Sequence, residues 1–115
     1  MEENNLLIFK KSYDFYKTFY ELRKNVSKQD RYAIWQRCDD SFLYILESIF
    51  TASLLIKAEK LELLKNTSSR LNFFKIMIRL LKDIKSIPEK KYILLEENLY
   101  EIGKMLGGWI KFLEK

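Results

Sequence analysis

The sequence predicts an all-α fold, an up-down-up-down antiparallel four-helix bundle that is oligomeric, and three observations lead there. Apolar residues recur at three- and four-residue steps along most of the 115 residues, the period of an amphipathic helix. Three glycines and one proline leave few places to turn, which favours a small number of long helices over many short strands. Hydrophobic residues make up 48% and aromatics 15%, enough side-chain volume for a core in a chain of one-domain length, so residues 1–115 are read as one domain.

The first helix is expected from about Asn5 to Asn25, where Phe9, Tyr13, Tyr16 and Tyr20 recur at helical spacing beside Ile8, Phe15 and Phe19. Ser27-Lys28-Gln29-Asp30 then reads as a helix start. The Ser27 hydroxyl can accept from an orphan amide, Asp30 suits the positive first turn, and Val26 stands where a hydrophobic staple would. The second helix carries Trp35, Cys38, Phe42, Ile45, Leu46, Ile49, Ser53 and Ile56 on one face and is expected to run to about Ile56. Compactness requires a reversal, placed near Ala58–Lys60, and the third helix extends to about Lys85. Ser86-Ile87-Pro88-Glu89 offers a capping hydroxyl, a proline tolerated in a first turn and a glutamate to complete a capping box. The fourth helix follows, with Tyr92, Leu95, Leu99, Ile102, Leu106, Ile110 and Leu113 in a narrow arc and Trp109 at its margin.

The chain has no histidine, which removes the commonest general base and the commonest metal ligand. One cysteine cannot form an internal disulfide or, without histidine, a Cys-His nucleophile pair or zinc site, and no Gly-rich phosphate loop is present. No catalytic, metal or cofactor-binding residue is therefore assigned, and the expectation is a non-enzyme. Acidic pairs at Asp39/Asp40 and Glu96/Glu97 read as solvated helix faces, since helix neighbours point about 100° apart. Cys38 lies in the apolar stripe as a buried free thiol, which suits a reducing compartment. With no leader pattern and no apolar run of ~18 residues, the expected location is cytoplasmic and not in a membrane.

Lys and Arg number 21 against 16 acidic residues, a formal charge of +5 that favours approach to polyanions without proving it. Lys75, Arg79 and Lys82 share an arc of roughly 60° on the third helix, with Asn72 and Ser68 extending it, and form a candidate phosphate-binding ridge. An ordinary solvated face is the alternative reading. Lys10, Lys11, Lys17, Arg23 and Lys24 are scattered round the first helix. Leu71, Phe73, Phe74, Ile76, Met77, Ile78, Leu80, Leu81 and Ile84 cover roughly 220° of the third helix, about twice what one bundle core requires. Burial of the surplus, which includes Phe73, Ile76 and Leu80, calls for a subunit interface or for a monomer that wraps this helix between two neighbours. In the fourth helix Gly103, Gly107 and Gly108 each cost ~1 kcal/mol relative to alanine, and Gly103 and Gly107 share a face where a neighbouring backbone can approach Trp109's end of the helix.

The run EIGKMLGGWIKFLEK, Glu101 to Lys115, resembles the terminal signature of the Avd proteins of diversity-generating retroelements. LNFFKIMIRLLKDIKSI, the following PEKKY and the early KSYDFYKTFYEL are similar to that family's layout in the same order, and LGGW is the distinctive core of the match. A related group is encoded in intervening sequences of bacterial 23S ribosomal RNA genes. The Avd resemblance implies a homopentameric, basic, non-catalytic four-helix bundle. It would serve as an accessory to a reverse transcriptase in mutagenic retrohoming and bind that enzyme and its RNA or cDNA through positive surface charge. The related group implies the alternative, a structural or protein-interaction bundle without nucleic-acid binding, and Asp39, Asp40 and Glu47 on the second helix suit it.

Overall fold

The computed structural model describes residues 3–115, with side chains from Asn5 onward; Met1 and Glu2 of the expected domain lie outside the described residues. Helices α1 (Glu3–Glu21), α2 (Lys28–Arg31), α3 (Ile34–Ala52), α4 (Lys57–Asp83) and α5 (Glu89–Leu113) account for nearly all of it, and there is no strand among the described residues. The four long helices form a rod of 45 × 23 × 20 Å in which α1 and α4 each lie beside α3 and α5. Cross-helix contacts show that successive long helices run antiparallel: Phe9 meets Phe50 while Phe19 meets Trp35, and Lys65 pairs with Glu114 while Lys82 covers Tyr92.

Aromatic packing closes the core. The rings of Phe15, Phe42 and Phe74 stand 4.7 to 6.1 Å apart, and Phe19 stacks on Trp35 at 4.1 Å. At the edge of this cluster the Tyr16 phenol donates to the Asp39 carboxylate at 2.6 Å and ties α1 to α3. Burial and that hydrogen bond both hold the phenol's pKa above its ordinary value.

Three boundaries differ from the sequence expectation. The Ser27 hydroxyl does accept from the Asp30 amide, at 3.3 Å, but the helix it starts lasts one turn, and the chain bends at Tyr32 and Ala33 before α3. None of the four residues of α2 is buried, so no core contact keeps it in line with α3. Its anchor is instead the Arg31 guanidinium, which donates to the Val26 carbonyl at 3.0 Å.

The second reversal occupies Ser53–Ile56 rather than Ala58–Lys60. The last buried residue of the α3 stripe is Ala52, and Ile56, expected on that stripe, is exposed. The Ser53 hydroxyl donates to the Phe50 carbonyl at 2.6 Å, and the Leu54 and Leu55 amides close short bonds to Thr51 and Ala52. Ile56 is extended, and its carbonyl accepts from the Lys60 amide at 2.8 Å, so Lys57–Lys60 already belong to α4. Loss of buried apolar partners, not glycine or proline, ends this helix.

Ser86 does not cap α5, and the expected capping box with Glu89 is not formed: the N-cap position is Pro88, without a side-chain bond. Ser86 belongs to the end of α4. Its amide donates to the Leu81 carbonyl at 2.8 Å and that of Lys85 to Lys82 at 2.9 Å, the paired bonds of a Schellman motif. The motif needs a left-handed residue, and Lys85 supplies it at φ 64°. The Ser86 hydroxyl is left buried without a partner among the described residues.

Candidate functional site

The nine apolar residues from Leu71 to Ile84, along the second half of α4 and its C-cap, fall into two sets. Leu71, Phe74, Met77, Ile78 and Leu81 are buried against α3 and α5. Phe73, Ile76, Leu80 and Ile84 form an outward stripe and keep between 44% and 61% of their surface in solvent. The wrapped-monomer alternative therefore fails for these four side chains, because α4 has neighbours on two sides only. Leu43, Tyr44 and Phe50 make a second outward apolar set on α3, among the carboxylates of Asp40 and Glu47.

The basic ridge splits. Arg79 and Asn72 are exposed beside the apolar stripe, with the Arg79 guanidinium 3.9 Å from the Asp83 carboxylate. Lys82 leans the other way, 3.3 Å from Asp83 and 4.8 Å over the Tyr92 ring. The Tyr92 phenol donates to Glu96 at 2.6 Å, a bond that holds its pKa up. Lys75 also leans to the α5 side, into a groove with Lys11, Glu96, Glu97 and Glu101, and half-buried Ser68 extends the row. Sequence spacing brought these cations onto one helix face; the acidic partners come from the next turn and from another helix. A further cation escaped the wheel: Arg70 lies 4.2 Å over the Tyr44 ring on the α3 side, and no spacing within α4 signals a partner on another helix.

Three of the cations between Lys10 and Lys24 are similarly occupied. Lys10 and Lys17 share Asp14 at 2.9 and 3.5 Å, and Lys24 reaches Glu21 at 3.4 Å. The Lys10 hydrogen bond leads the effects that hold the Asp14 carboxyl below its ordinary value. Such exposed pairs stabilise little, but they reduce the charge that a polyanion meets.

The close backbone approach expected at the α5 glycines is found at none of them, and only Gly103 has side-chain atoms of a neighbour beside it. A Cβ on Gly103 would meet Lys75 Nζ at 3.2 Å and Leu71 Cδ2 at 3.9 Å, whereas Gly107 and Gly108 face open space within 4 Å. Trp109 is half-buried against the core, with Lys60 Nζ 6.0 Å from its ring centre.

The remaining chemistry-bearing groups are held in structural bonds. Burial pushes the Cys38 thiol up to about 12, far from the reactive thiolate range. Asp39 accepts from Tyr16 and Asp40 from the Gln36 amide at 3.0 Å. Among the described residues no three acidic or cysteine side chains cluster as metal ligands would, and no helix is long and apolar enough to cross a membrane.

Comparison with known proteins agrees with this architecture. A crystal structure of a protein of unknown function from the S23 ribosomal protein family of Bacteroides thetaiotaomicron superposes with a TM-score of 0.84. The two share 22% identity over 94% of this chain and 98% of the other, which establishes the fold. No curated protein matches the sequence. The bAvd-like family model matches residues 6–113, from the first apolar residue of α1 to the last of α5, and the chain belongs to the bAvd-like family.

Proposed function

We propose that this protein is a non-catalytic, self-assembling accessory factor of a diversity-generating retroelement, one that binds a reverse transcriptase and its RNA or cDNA during mutagenic retrohoming. The observation that carries the reading is the outward stripe of Phe73, Ile76, Leu80 and Ile84 on a bAvd-like bundle, with Arg79 and Asn72 at its border. A row of four large apolar side chains suits a subunit interface. Its basic border on α4 complements the acidic border of the apolar set on α3, so one copy's α4 can meet the next copy's α3 head to tail. A head-to-tail contact closes into a ring when the rotation between copies divides a full turn, which is what the pentamer implied by the family resemblance requires.

Two mutants test the assembly. Phe73→Glu/Ile76→Glu removes the α4 face and Leu43→Lys/Phe50→Lys the α3 face. Each alone should sediment as a 14.0 kDa monomer, and their mixture should form a dimer through the two intact faces. A mixture that stays monomeric, or wild-type protein that is monomeric at micromolar concentration, refutes the assembly. Nucleic-acid binding is tested by titrating structured RNA across a salt series. Replacing Lys75, Arg79 and Lys82 together by alanine should flatten the salt dependence by about three units of logarithmic slope, and unchanged affinity and slope would remove the ridge.

A second reading, a structural or protein-interaction bundle without nucleic-acid contact, is favoured by one observation: Asp83 engages both Arg79 and Lys82. A reverse transcriptase gene and a variable repeat beside this gene separate the first reading from the second.

A further inference from the structure

At the end of the rod where α1 begins and α5 finishes, the two helices diverge around a cleft of about 600 Å³. Ile8, Met105 and Trp109 form its apolar floor, and the exposed side chains of Leu7 and Phe112 form its walls. Gly108 lines it and leaves it open, since no atom stands within 4 Å of where its Cβ would be. Asn5, only 5% exposed, is the polar residue of the same lining. Cations border it: Lys111 and Lys115 are part of the lining, Lys57 Nζ lies 3.5 Å from the Lys115 carbonyl, and Lys60 covers Trp109. Among the described residues no acidic side chain lines the cleft, and the nearby Glu114 is paired with Lys65 at 3.1 Å.

We propose that this cleft binds one unstacked nucleotide of a single-stranded nucleic acid. The volume is in the range that small ligands occupy. Aromatic and apolar walls accept the flat face of any base, and the bordering lysines accept the phosphates on either side. An acidic peptide would meet the lysines but brings no flat base to the apolar walls. The inference rests on the nucleic-acid part of the proposed function and moves the specific contact from the α4 ridge, where acid neighbours compensate the cations, to the lysine-bordered end of the bundle. Gly108 acquires a role here: its missing side chain is the opening.

The test uses a fluorescent single-stranded oligonucleotide of about 12 nucleotides and the duplex of the same sequence. Full-length protein should prefer the single strand, with quenching of Trp109 emission as the base enters. Gly108→Leu, whose Cβ would meet nothing within 4 Å, puts a branched side chain into the cleft and should weaken single-strand binding about tenfold. Gly107→Leu, with an equally unhindered Cβ but outside the lining, should bind as wild type and controls for the helix change. Lys111→Ala/Lys115→Ala should lower the salt slope by about 1.4. Wild-type affinity in Gly108→Leu overturns the cleft while the nucleic-acid reading stands. Displacement of the oligonucleotide by a Glu/Trp peptide but not by a free mononucleotide also overturns it. If the wild type binds neither strand form, the nucleic-acid reading fails and the cleft proposal with it.

Discussion

Phe73 and Phe74 are adjacent and chemically identical, and the bundle assigns them opposite work. Phe74 is fully buried, its ring 5.1 Å from Phe42, 5.8 Å from Phe19 and 6.1 Å from Phe15, whereas Phe73 keeps 57% of its surface in solvent. Truncating Phe74 to alanine removes a ring from the middle of a four-aromatic cluster and leaves a cavity, at a cost of about 3–5 kcal/mol. Domains of this size have roughly 5–15 kcal/mol in total, so this one change takes a large fraction of the stability. With a urea m-value of about 1–3 kcal/mol per molar, the midpoint should fall by roughly 2 M at unchanged m. Phe74→Leu, which keeps most of the volume, should lose less than about 1.5 kcal/mol and serves if the alanine variant does not fold. Phe73→Ala should shift stability by no more than about 0.5 kcal/mol under dilute, monomeric conditions. At high protein concentration it should lose the extra stability that assembly gives the wild type. Urea melts at two protein concentrations read all of this. Equal, concentration-independent losses for the two alanine variants would refute the division of α4 into inner and outer faces.

Other outcomes follow from local geometry. Lys85→Gly should stabilise the protein by about 1 kcal/mol, raising Tm by roughly 4 °C, because lysine pays a steric penalty at φ 64°; a lower Tm would contradict the Schellman ending. Gly107→Ala should add about 1 kcal/mol in the monomer, since its Cβ meets nothing within 4 Å, and Gly103→Ala should add less because Lys75 Nζ must move; the reverse order in thermal melts would sink the assignment. Burial holds the Cys38 thiol protonated up to about 12, and the Tyr16 phenol's pKa is also raised, while the unfolded chain ionises them near 9.0 and 10.0. Both folded values are raised, so their contribution is complete below about pH 9 and is lost as pH rises further. Urea melts at about pH 8 and pH 10.5 check the sign, and iodoacetamide should label Cys38 only as the protein unfolds.

Much of the helical layout was legible because it depends on period alone. The stripe from Trp35 to Ile49 and that from Leu95 to Leu113 are buried as the wheel places them, apart from half-buried Leu46 and Ile110. The boundaries were harder. The turn at Ser53–Ile56 has no glycine or proline to announce it, and the Ser86 hydroxyl suits a helix start although the backbone around it is finishing one. The candidate site was legible as composition on α4 but not as electrostatics. Lys75, Arg79 and Lys82 share a face in sequence, yet their neighbours Glu96 and Tyr92 arrive from α5. The end cleft had no local signal, since Asn5 and Phe112 are 107 positions apart.

Taken alone, the sequence determined that the chain is helical, that α4 has more apolar circumference than one bundle core can cover, and that its ends resemble a known family. Those properties are set by residue order at a period of 3.6, which needs no partner to be read. Only the tertiary structure decided which apolar residues of α4 turn inward, which cations of α4 stand beside carboxylates, and that Gly108 opens a cleft while Gly103 packs. A helix has no inside until another helix covers it, and a charge has no field of its own until its neighbours in space are known.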